Sequence, residues 1–130
     1  MDNKSDVVKK WFLKADNDLI NIENNLASKN IPYDTVYFHS QQAIEKYLKG
    51  ALVYYEQNVV KTHDLIQLLN QIKLFIPELA EFESEFENIG EFGIQSRYPD
   101  LLYEPDVDEA KQSYRVAQEI KAIIKTAIKL

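Results

Sequence analysis

Residues Ser5 to Ser28 read SDVVKKWFLKADNDLINIENNLAS. Val8, Phe12, Ala15, Leu19, Ile22 and Leu26 recur at steps of 4-3-4-3-4. Such steps keep side chains on one stripe of an α-helix, and no β-strand can gather them on one face. Trp11 flanks the stripe. Lys29-Asn30-Ile31-Pro32 ends the helix, because proline cannot continue it and restricts the residue before it.

The same reading extends outward. A second helix is predicted from about Asp34 to Gln57, with Tyr37, Ile44, Leu48, Ala51 and Tyr55 inward and Phe38 and Leu52 on the shoulder. Gly50 inside it costs about 1 kcal/mol relative to alanine, so it marks close approach of a neighbouring helix. The other face holds His39, Gln42, Lys46 and Lys49 and reads as an ordinary solvated face, with Glu45 and Lys49 as an i,i+4 pair. Asp64 is placed to cap a third helix of about twelve residues, with Gln67 set for a capping box. Leu65, Leu68, Leu69, Ile72 and Phe75 form its apolar face. Pro77 suits the first turn of a fourth helix carrying Leu79, Phe82, Phe86 and Ile89, and Gly90 and Gly93 loosen its end. Arg97-Tyr98-Pro99-Asp100-Leu101-Leu102-Tyr103-Glu104-Pro105 is not regular helix. Asp106 or Asp108 opens a last helix with Ala110, Tyr114, Ala117, Ile120, Ile124 and Ala127 inward. No segment alternates with a period of two. The expectation is one all-α domain over residues 1–130, an antiparallel up-and-down bundle of four to five helices.

Composition narrows the function. The 130 residues include no cysteine and only two histidines, His39 and His63. Disulfides, thiolate metal sites and cysteine nucleophiles are therefore excluded, and no metal site or cofactor is expected. No apolar run is long enough to span a membrane, and the polar start MDNKSDVVKKW lacks a signal core, so the expected location is cytoplasmic. The net charge is −6, and residues 78–109 hold eleven acids against the single base Arg97. Proteins that coat DNA or RNA need a basic stripe that displaces counterions, which disfavours DNA as a partner. Glycine-rich phosphate loops, serine elbows and the Glu-x-x-His pairs of di-iron bundles are all absent. Two polar islands remain: the second helix with Lys61-Thr62-His63-Asp64, and the loop from Arg97 to Tyr103.

These islands carry a resemblance. Phe38-His39-Ser40-Gln41-Gln42-Ala43-Ile44-Glu45-Lys46-Tyr47-Leu48-Lys49 resembles the signature helix of the HEPN domains (higher eukaryote and prokaryote nucleotide-binding). Lys61-Thr62-His63-Asp64-Leu65 and then Arg97-Tyr98-Pro99-Asp100 follow in the family's order, so the resemblance covers about residues 5–128. It implies an up-and-down bundle, often a homodimer, paired with a minimal nucleotidyltransferase in a toxin–antitoxin-like module. Eight tyrosines, six phenylalanines and one tryptophan in so small a chain agree with a ring-rich dimer interface.

The resemblance also implies two activities. One is nucleotide binding, for which Lys46, Lys49, Lys61, His63 and Arg97 would meet phosphates and Tyr98 or Tyr103 would stack on a base. The other is metal-independent RNA cleavage through an Arg-x4–6-His motif, with arginine steadying the phosphate and histidine moving a proton. Arg97 fills the arginine position. Leu102, Tyr103 and Glu104 stand where the histidine would be, and both histidines lie upstream. A ribonuclease would therefore need Arg97 with a rearranged partner, His63 or Tyr103; a phenol with its ordinary pKa of about 10 is a poor base at neutral pH. The third alternative is a purely scaffolding helical protein.

Overall fold

A computed structural model describes residues 3–90, 93, 95 and 104–130. Helix α1 spans Lys4–Leu26, and the Asn3 side chain caps it by accepting from the Asp6 N–H at 2.9 Å. It ends two residues before the predicted Ser28. There the Ser28 hydroxyl donates to the carbonyls of Asn25 and Asn30 and closes the end. Helix α2 spans Tyr33–Tyr54 and stops short of Gln57. Glu56 takes a left-handed φ of 61°, its N–H bonds to the Val53 carbonyl, and the Gln57 N–H bonds to the Leu52 carbonyl. This is a Schellman turn with glutamate where glycine is usual.

Helix α3, Leu65–Ile72, is eight residues long rather than twelve. The Asp64 carboxylate accepts from the Ile66 N–H at 3.0 Å, and Thr62 Oγ1 accepts from the Asp64 N–H at 3.0 Å. Exposed Gln67 makes no capping-box bond among the described residues. The predicted fourth helix begins as a 3-10 segment, Pro77–Phe82, and becomes α4 at Glu83–Asn88. Leu79, Phe82, Phe86 and Ile89 are buried along it, as their spacing required. Helix α5, Val107–Ala127, is capped by Asp106, which accepts from the Glu109 N–H at 2.8 Å. Arg97 to Tyr103 lie outside the described residues.

Cross-helix contacts give the topology. Lys4 meets Glu56, Trp11 and Phe12 meet Gly50, and Asp18 meets His39 and Lys46, so α1 and α2 are antiparallel. His63 sits against Glu45, while Asn88 and Gly90 sit against the Tyr37 hydroxyl. The α3–α4 leg therefore runs back towards the start of α2. Lys125 meets Asp16 and Tyr114 meets Glu23, so α5 is antiparallel to α1. The chain is an up-down-up-down bundle whose third leg is broken into α3, the 3-10 segment and α4. All described secondary structure is helical, and no helix among the described residues is long and apolar enough to cross a membrane.

Helix α2 is the central element. From Ser40 to Leu52 only Gln42 and Lys46 escape full burial. A Cβ on Gly50 would sit 2.7 Å from Phe12 Cε1 and 2.9 Å from Trp11 Cβ, so glycine is what lets α1 approach. Three apolar assignments need correction. Phe38 is 53 % exposed, since on this turn of α2 the inward positions go to Tyr37 and Ser40 and the α1 side to His39, which meets Asp18. Ala127 is exposed at the frayed end of α5, where Ile128 is buried instead. Phe75 lies beyond the end of α3 and is exposed, stacked with centroids 4.7 Å apart on Tyr55, which stays half-buried against the core just past the end of α2.

Candidate functional site

The polar side of α2 is only partly solvated. Its charged residues are spent on two carboxylates that the bundle buries. Asp18, on the flank of the α1 stripe, is 8 % exposed. It accepts from Lys46 Nζ at 2.7 Å through one oxygen and faces His39 Nδ1 at 2.8 Å through the other. His39 and Lys46 reach it together because seven residues are two helical turns. The second carboxylate is Glu45, 4 % exposed. One of its oxygens accepts from Lys49 Nζ at 3.1 Å, and the other faces His63 Nδ1 at 3.0 Å. The predicted i,i+4 pair thus exists, but in the interior. Lys49 is itself buried, with its ammonium 5.8 Å from the Trp11 ring centre.

An ionised carboxylate only accepts, so in each pair the neutral imidazole carries its proton on Nδ1 and turns Nε2 away. For His39 the ring is mostly covered, and Phe38 meets it edge-on at 5.4 Å. His63 differs, since its side chain is 60 % exposed. It stands at the mouth of an open cleft of about 450 Å³ between the start of α3 and the end of α4, lined also by Asp64, Ile66, Phe86, Glu87 and Ile89.

A third carboxylate ties the bundle together. Asp16 on α1 accepts from the hydroxyl of fully buried Tyr47 and from Lys125 Nζ at 3.0 Å, with Lys121 Nζ at 3.4 Å. Burial pushes the Asp16 carboxyl up, but the hydrogen bonds from Tyr47 and Lys125 and the charges of Lys125 and Lys121 outweigh it, leaving the carboxyl below its usual value. Burial, and then the Asp16 hydrogen bond and charge, push the Tyr47 phenol strongly up. Tyr47 is therefore a permanent donor that pins α2 to α1.

Of the residues predicted for a site, Lys46 and Lys49 each have an acidic partner within hydrogen-bonding distance. Lys61 is exposed on the connection before His63. Arg97, Tyr98 and Tyr103 fall outside the described residues. Asp18 and Asp16 were missed by the sequence reading. The only signal for them was two acids beside Ala15 and Leu19, at the edge of an apolar stripe. No group of three or more metal-ligating side chains occurs among the described residues.

The model of the HEPN domain family matches residues 8–127, nearly the whole chain. No curated protein and no solved structure matches. The family match, the four-legged helical bundle and the signature helix at its centre agree with one another, and the chain belongs to the HEPN domain family.

Proposed function

We propose that this HEPN-domain protein is the dimeric partner of a minimal nucleotidyltransferase in a toxin–antitoxin-like module, and that it takes a nucleotide on the polar side of α2 at its His63 end. The observation that carries the reading is the Glu45–His63 pair. Burying a carboxylate costs several kcal/mol, and Lys49 already supplies Glu45 with a counter-charge. Glu45 nonetheless commits its second oxygen to an imidazole that stands in solvent at a cleft. That arrangement orients a group for a ligand. Lys61, Arg97 and Tyr98 are the further residues assigned to phosphate and base, with Lys46 and Lys49 behind them. Dimerisation is supported by Leu13 and Ile20, two turns apart on α1 and 60 % and 51 % exposed. Light scattering checks the dimer, with a clean monomer at high micromolar concentration refuting it. Amide NMR during an ATP titration checks the nucleotide; an unperturbed His63 region would leave a scaffold. Co-expression with the neighbouring gene checks the partner.

One observation favours a second reading, a metal-independent ribonuclease. An imidazole held by a carboxylate at Nδ1 is oriented for proton transfer at Nε2. In that case Arg97→Ala abolishes RNA cleavage or growth inhibition, and equal effects of wild type and variant remove the reading.

A further inference from the structure

We propose that the His63 cleft takes the ribose of its nucleotide, through an Nε2 lone pair that Glu45 presents by holding the ring as its Nδ1–H tautomer. The inference rests on the nucleotide reading and says which end of the nucleotide enters. Three features lead to it. First, Glu45 is a dedicated acceptor: its oxygens are divided between Lys49 at 3.1 Å and His63 Nδ1 at 3.0 Å. The neutral His63 ring then offers an acceptor at Nε2, which suits a hydroxyl and not a phosphate.

Second, the cleft is acidic. Asp64 and Glu87 line it, and no lysine or arginine does so among the described residues. One Asp64 oxygen serves the α3 cap, and the carboxylate retains further lone pairs. Two carboxylates repel a phosphate and accept from vicinal hydroxyls. Third, Ile66, Phe86 and Ile89 give the cleft an apolar wall, against which a sugar ring or base edge can rest. A volume of about 450 Å³ is ample for a nucleoside. The phosphates then point out of the cleft, and Lys61, two residues before His63, is exposed. Glu45 is a positioning residue in this scheme: it meets no ligand and acts through His63.

The test titrates labelled protein with AMP, adenosine and 2′,3′-dideoxyadenosine, and with a short RNA whose terminal ribose is intact or blocked. Adenosine should bind within about threefold of AMP, and 2′,3′-dideoxyadenosine about tenfold more weakly, as expected when a site loses the hydroxyls it was built to bind. His63→Ala, an exposed change that keeps the fold, should abolish the preference for the hydroxyls. In Glu45→Gln, long-range imidazole spectra should show His63 leaving the Nδ1–H tautomer while ribose preference falls; a purely structural role would leave the tautomer unchanged. Tighter binding of the open-ended RNA than of AMP identifies an RNA terminus as the source of the ribose, and the reverse identifies a free nucleotide. Nucleotide binding that ignores His63→Ala and the missing hydroxyls overturns the ribose cleft and leaves the nucleotide reading standing. Absence of binding by every ligand overturns both.

Discussion

Replacing Gly50 by alanine tests the packing on which the whole polar side depends. The added Cβ would lie 2.7 and 2.9 Å from two Phe12 ring carbons and 2.9 Å from Trp11 Cβ. Carbon atoms prefer separations of about 3.5–4.0 Å, so α1 and α2 must part by roughly 1 Å. The Phe12 ring can turn, but it is buried; Trp11 Cβ is tied to the α1 backbone and cannot give without moving the helix. Helix propensity favours alanine by about 1 kcal/mol. Overpacking of this kind costs about 1–3 kcal/mol or more. Because Trp11 Cβ cannot give and the Phe12 ring turns only within a packed interior, the upper end applies, and the net loss is about 2 kcal/mol. That corresponds to a fall in Tm of about 6–12 °C for a chain of this length. Urea unfolding followed by circular dichroism reads the loss directly. Phe12→Leu removes part of the obstruction, so the double variant should lose less than the sum of the singles. A Gly50→Ala protein as stable as wild type would refute the claim that contact at this glycine sets the α1–α2 distance.

Three further outcomes are expected. Tyr47→Phe leaves Asp16 without its buried donor and should cost about 1–3 kcal/mol in chemical denaturation, with the helical spectrum kept. The Asp16 carboxyl is lowered in the folded protein, so its stabilisation is present above the unfolded carboxylate pKa of about 3.9 and fades as pH falls through the folded value; Asp16→Asn should be less stable at pH 7 and lose less stability on acidification, which a pH series of melting curves checks. Glu56→Gly relieves a left-handed glutamate at the end of α2 and gives up only an exposed 3.8 Å ion pair to Lys4, so Tm should rise by an amount corresponding to about 0.5–1 kcal/mol.

The α1 stripe, the Asp64 and Asp106 caps and the close contact at Gly50 were legible in the sequence, because each depends on spacing or chemistry within one or two turns. So was the family, since its three motifs lie in linear order. The broken third leg was not legible: Pro77 opens a 3-10 segment rather than an α-helix, and the spacing of Leu79, Phe82, Phe86 and Ile89 is compatible with both. The polar side of α2 was misread for a deeper reason. His39, Gln42, Lys46 and Lys49 have the spacing of a solvated face, and nothing in that spacing says what lies opposite. Asp18 is 21 residues from His39, and His63 is 18 residues from Glu45. Local periodicity determined which residues share a face of each helix. Only the docking of α1 and of the His63 connection onto α2 decided that this face meets buried carboxylates, because a charge leaves solvent only where packed neighbours cover it and its partners are within hydrogen-bonding distance.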